Sequence, residues 1–97
     1  MGFKLTRAAE NDLISIYLDG AERFGLSQAD HYHDSLDRLF GFLGQNPRAA
    51  RDRVEITPPV RCHPHGSHLI IYVIDADDDV LVLRIRHAHE NWAGDPG

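Results

Sequence analysis

The sequence is short of the features that mark several large classes of protein. It has a single cysteine, Cys62, so no internal disulfide can staple it and its stability must come from a core. It has neither a charged-then-apolar leader nor a long apolar run, so a soluble, cytoplasmic chain with no membrane partner is expected. Positive charge is scarce: nine arginines and one lysine, Lys4, face 15 acidic residues, giving a formal charge of −5. Domains that hold nucleic acid by bulk electrostatics usually carry a large positive excess, so no direct nucleic-acid binding is expected and any basic surface is local. The bias toward arginine suits planar, bidentate recognition, although a compositional bias would produce the same count. With 97 residues, 42% of them hydrophobic, the chain fills one domain, 1–97, and lacks the length for a second.

What is present is concentrated in the C-terminal third. Val60 to Trp92 holds three strand-like runs, five of the seven histidines and three arginines. The first hairpin turns at His65-Gly66-Ser67, and the second at the acidic run Asp75-Ala76-Asp77-Asp78-Asp79. Between them, His68 to Ile74 is apolar on both faces, which predicts a central strand covered above and below. In the last run Leu81, Leu83 and Ile85 alternate with Val80, Val82, Arg84 and Arg86, placing the two arginines on one face and His87 on the other.

The N-terminal half reads as a strand and two helices. Gly2 to Leu5 is a short strand, and Thr6 offers an N-cap to a helix from Arg7. Ala9, Leu13, Ile16, Tyr17, Gly20 and Phe24 form one stripe of that helix, and Ile14, Leu18 and Ala21 a second. Two stripes imply two neighbours, of which a partner protein is one candidate. Gly25 ends the helix, Ser27-Gln28-Ala29-Asp30 resembles a capping box for the next, and Pro47 stops that one near Gln45-Asn46. The second helix presents Ala29, Tyr32, Leu36, Leu39, Phe40 and Leu43. Arg48 to Pro59 has no period and reads as a surface loop.

The order β-α-α-β-β-β predicts an α+β fold of two layers, with an antiparallel helix hairpin packed on a largely antiparallel C-terminal sheet. Several residues in this order resemble the RelE/ParE superfamily of toxins from type II toxin–antitoxin modules. They are the strand leading into Thr6-Arg7-Ala8-Ala9-Glu10-Asn11-Asp12-Leu13, the Ala21-Glu22-Arg23-Phe24-Gly25 helix end, Asn46-Pro47 and Val60-Arg61. Gly66-Ser67-His68 with Ile71-Tyr72, and Val82-Leu83-Arg84-Ile85 before His87, complete the pattern. Its spacing is nearer to ParE than to RelE. The resemblance implies a non-enzymatic toxin that inhibits DNA gyrase by binding, without a cofactor. It also implies a cognate antitoxin that wraps the toxin in a hetero-oligomer, using an amphipathic helix and sometimes an added strand.

The alternative is a RelE-like, ribosome-dependent mRNA endoribonuclease. Such nucleases are understood to use several Lys/Arg residues and often a C-terminal tyrosine, whereas here the one lysine is N-terminal and no tyrosine follows Tyr72. Arg61, Arg84 and Arg86 have the charge to clamp a phosphate, and His63, His65 or His87 the titration range to move protons. His63-Pro64-His65 and His87-Ala88-His89 would make a zinc site if neighbouring strands brought them together, but with no persuasive carboxylate or cysteine spacing no metal is expected. The expected partner-binding residues are Arg61, Arg84 and Arg86 at the strand ends, with Ile14 and Leu18 on the first helix. His63, Tyr72, His87 and Trp92 are structural or functional. Each has an ordinary reading beside the functional one: Tyr72 as a core aromatic with its hydroxyl at the rim, and Arg84 as partner to a carboxylate of the 75–79 turn or Glu55.

Overall fold

The computed structural model describes residues 2–50, 60–88 and the backbone of 52–53. Its elements are β1 (Phe3–Leu5), α1 (Arg7–Phe24), α2 (Leu26–Gln45), β2 (Asp52–Arg53), β3 (Val60–His65), β4 (His68–Ile74) and β5 (Val80–His87). The strands form one sheet in the order β1-β5-β4-β3-β2. β1 runs parallel to β5, and every other pairing is antiparallel. The expected α+β architecture is present, with the helix hairpin packed against one face of the sheet.

Local chemistry explains where the helices begin. Thr6 is extended and its hydroxyl oxygen accepts from Ala9 N–H at 3.1 Å, the expected cap. The same hydroxyl donates to Leu83 O at 2.7 Å, so one side chain starts the helix and fastens it to β5. The hairpin corner differs from expectation. Gly25, at φ 93°, ends α1 and immediately starts α2 at Leu26 with no side-chain cap. Ser27 therefore lies inside the first turn rather than capping it, because the positive φ of glycine lets one residue reverse the chain. At the far end of α2, a Cβ on Gly44 would lie 3.0 Å from the Gly2 backbone, so the helix rests directly on the chain entering β1.

Leu36, Phe40 and Leu43 of α2 meet Ile70, Tyr72, Val80, Val82 and Ile85 of the sheet, joined by Ala9 of α1. Each large side chain buried here contributes about 1.5–3 kcal/mol. The other sheet face gathers Val60 and Ile71 with Cys62, Leu69, Val73 and Leu83. β4 is central and apolar on both faces, as its sequence predicts.

β5 departs from simple alternation. Tyr72 pairs with Val82, but Ile71 pairs with Arg84, leaving Leu83 as an extra residue in a bulge. Val80, Val82 and Ile85 consequently all enter the helix-side core, while Leu83 joins the opposite cluster. The strict pattern, which set Ile85 with Leu81 and Leu83, is corrected by that bulge. The described part of the 48–59 stretch is more than a loop: Asp52 and Arg53 pair with Arg61 and Val60, and Ala50 is buried. Burial of Phe24 also fails; it is 70% exposed at the hairpin tip.

Candidate functional site

The two-residue turn Gly66-Ser67 sets His65 opposite His68, and β5 then sets His87 opposite His68 on its other side. Three histidines thus stand in register across β3, β4 and β5. The side-by-side strands that a zinc site from the two HxH motifs would have required are not adjacent, because β4 lies between β3 and β5 and brings His68 between them; His89 lies outside the described residues. Sequence reasoning overlooked His68, although a two-residue turn after His65 already dictates that pairing.

The helix α2 supplies the partners. Tyr32 Oη lies 3.1 Å from His65 O and 2.7 Å from His68 Nδ1. A phenol has one proton, so Tyr32 donates either to His65 O or to His68 Nδ1, and when it donates to the carbonyl the histidine contact requires Nδ1–H. Ser35 shows the same logic: its hydroxyl donates to Tyr32 O at 2.7 Å, so His65 donates through Nε2–H to the serine oxygen at 2.9 Å. That direction is wrong for activating Ser35 as a nucleophile. Burial, with His63 nearby, holds the His65 pKa below its usual value, and burial raises that of Tyr32. The rings of His68 and His87 meet edge to face with centres 5.6 Å apart.

Tyr32, His68 and His87 line a groove of about 540 Å³, whose apolar walls include Leu13, Ile16, Phe24 and Leu36. Outside the groove, Ile14 and Leu18 are 58% and 61% exposed. Of the second stripe of α1, Ile14 and Leu18 are therefore uncovered, while Ala21 is half-buried.

The arginines do not form one patch. Arg61 is in register with Tyr72, a residue of the helix-side core, and donates to Ala50 O. Arg84 and Arg86 are in register with Ile71 and Leu69, which belong to the opposite cluster. By register Arg61 is level with Val82, one step along the sheet from Arg84 and three from Arg86, so the arginines are parted by face more than by distance along the strands. The partner of Arg84 is Asp12: Nε and Nη2 donate to its two oxygens at 2.7 and 3.1 Å. Asp12 also accepts from Ile85 N–H at 2.9 Å, so it does more than complement the helix dipole. The carboxylate bonded to Arg84 here is not one from the 75–79 turn; Glu55, the other partner expected from sequence, lies outside the described residues, as does Trp92. Lys4 faces the turn instead, 3.5 Å from Asp75, whose pKa is lowered first by the Asp79 N–H and also by that lysine. Tyr72 is fully buried and donates to Pro47 O at 2.7 Å, so its hydroxyl is part of the core rather than at a rim. His63 is half-buried, and its Nδ1 lies 2.8 Å from Pro64 O. No group of three His, Cys, Asp or Glu side chains among the described residues is placed to hold a metal, and no described helix is long and apolar enough to cross a membrane.

Comparison with known proteins gives the family of the chain. Residues 3–92 match the model of the family described as the ParE toxin of type II toxin–antitoxin system, parDE. The chain belongs to the ParE toxins. It is 31% identical over 85 residues to toxin ParE1 of Mycobacterium tuberculosis, covering 88% of this chain and 87% of that one. Toxin ParE3 of Caulobacter vibrioides is 28% identical over 92 residues, 95% of this chain and 91% of that one. A solved structure of a chromosomal ParDE TA system from P. aeruginosa superposes with a TM-score of 0.77 at 23% identity, over 92% of this ParE chain and 97% of that one. That last likeness establishes the shared fold.

Proposed function

We propose that this ParE toxin is neutralised by a cognate ParD-type antitoxin in a hetero-oligomer and, when released, inhibits DNA gyrase by binding rather than by cutting RNA. One observation carries the choice against a nuclease: Arg61 and Arg84, two of the three arginines with the charge to clamp a phosphate, are bonded within the fold, as are the one lysine and the last tyrosine. Lys4 is at the acidic turn, Arg84 is held by Asp12, Arg61 is bonded to Ala50 O, and the Tyr72 hydroxyl is buried. Transition-state stabilisation of RNA cleavage needs such groups aimed at the phosphate.

For the antitoxin, Ile14 and Leu18 provide an apolar ridge one helical turn apart, suited to an amphipathic helix. Among the described residues no strand pairs with the outer edge of β1, which suits an added strand. The Arg84–Arg86 end of β5 is where we assign an antitoxin carboxylate, with Arg84 shared with Asp12. Purified toxin is expected to inhibit gyrase supercoiling and to leave ribosome-bound mRNA uncut. Cuts in mRNA that require both toxin and ribosomes, with gyrase unaffected, would replace this reading with the nuclease one.

A further inference from the structure

We propose that the groove between the helix hairpin and the end of the sheet is the docking site of this chain's own C-terminal segment, residues 89–97, with the indole of Trp92 as its anchor. α1 and β5 advance in the same direction, since Thr6 bonds to Leu83 and Asp12 to Ile85. From Asp12 to Phe24 the helix rises about 18 Å at 1.5 Å per residue, whereas from Ile85 to Ala88 the strand adds only about 10 Å. The hairpin therefore overhangs the end of the sheet. Beneath the overhang lies the groove of about 540 Å³, with Ile16 and Phe24 on its helix side and Ser67, His68 and His87 at the sheet end.

The chain leaves β5 at that same end. Ala88 N–H donates to Ser67 O at 2.8 Å, so the residues beyond it start under α1. Trp92 is four residues further on and lies within roughly 14 Å of Ala88 along the chain, which spans the overhang. The wall with most area left to cover is at its far end: Phe24 is 70% exposed, the most of any large hydrophobic residue described. An indole buries about 150–250 Å² and pairs favourably with another aromatic ring. Trp92 is the one large apolar side chain in 89–97, so the anchor is specified. A side chain tethered this closely is presented to the groove at an effective concentration on the order of millimolar, above that of a separate protein. The occupant is accordingly the chain itself, and the contact is independent of what the toxin inhibits. The exposed ridge of Ile14 and Leu18 is not part of the groove.

The test uses the full-length chain, whose intrinsic fluorescence reports Trp92 because no other tryptophan is present. At pH 7.5 its emission is expected at shorter wavelength than in the urea-unfolded chain, with several-fold weaker quenching by acrylamide, and both independent of protein concentration. Phe24→Asp removes the ring that the indole covers and should return both signals toward the unfolded values, with folding checked by circular dichroism. Ile14→Asp with Leu18→Asp should leave them unchanged. In magnetic resonance spectra the indole protons should show Overhauser contacts to Phe24 and Ile16, a readout that stands if Phe24→Asp fails to fold. An indole as readily quenched as in urea, protection unchanged in folded Phe24→Asp, or protection that rises with protein concentration would overturn the assignment. So would Overhauser contacts to Val73 and Leu83 on the opposite face of the sheet in place of those to the groove.

Discussion

Asp12 carries more of the fold than its position in an ordinary helical turn suggests. It accepts two bonds from Arg84 and one from Ile85 N–H, and the ion pair is largely shielded, with side-chain exposures of 24% for Arg84 and 17% for Asp12. Hydrogen bonds to charged groups contribute about 1.5–3 kcal/mol each, not additively. Asp12→Ala is therefore expected to cost about 2–3 kcal/mol, read as a melting temperature lower by roughly 10 °C or more in thermal denaturation; a loss below about 0.5 kcal/mol would show the pair to be incidental. His65 makes a pH prediction. Its folded-state pKa is below the ordinary 6.5 because burial and His63 oppose its charge, so the unfolded chain takes up that proton first. Its penalty is absent well above pH 6.5, grows as pH falls through 6.5, and is complete below the folded-state value. Urea unfolding from pH 7.5 to 5 should show stability dropping across this window, and His65→Gln should flatten part of the drop. Neither the Asp12 tie nor the direction of the His65 bond is legible locally, since each joins residues 30 or more positions apart.

At the scale of elements, α1 divides its work between two faces. Ala9, Leu13 and Ile16 go to the core, while Ile14 and Leu18 face solvent. This division was readable from the 3.6-residue period, because a helix on a flat sheet can bury only one stripe. Ile14→Asp with Leu18→Asp is expected to leave circular dichroism and stability nearly unchanged, within about 1 kcal/mol. The same pair should weaken antitoxin binding at least tenfold in a pull-down titration or calorimetry, and unchanged affinity would move the antitoxin elsewhere. β5 was less legible. Its alternation holds to Val82 and is then shifted by the bulge at Leu83, whose position depends on pairing with β4 rather than on the residues of β5 alone.

At the scale of the molecule, the order of elements led to the right architecture because hydrophobic period and turn chemistry act over a few residues. The helix cap at Thr6, the reversal at Gly25, the hairpin turn at Gly66 and the two-faced β4 are all of this kind. These local signals, together with the spacing that resembles the ParE family, were available in the sequence by itself. The tertiary structure alone decided the sheet order. It placed β1 beside β5, β4 between the two histidine motifs, and Arg61 on the opposite face from Arg84 and Arg86. It also brought Asp12 to Arg84, and Tyr32 and Ser35 to the histidine row. The physical reason is that a side chain's local pattern specifies which face it prefers to bury, whereas its partner is chosen by strand register and helix packing across the whole chain.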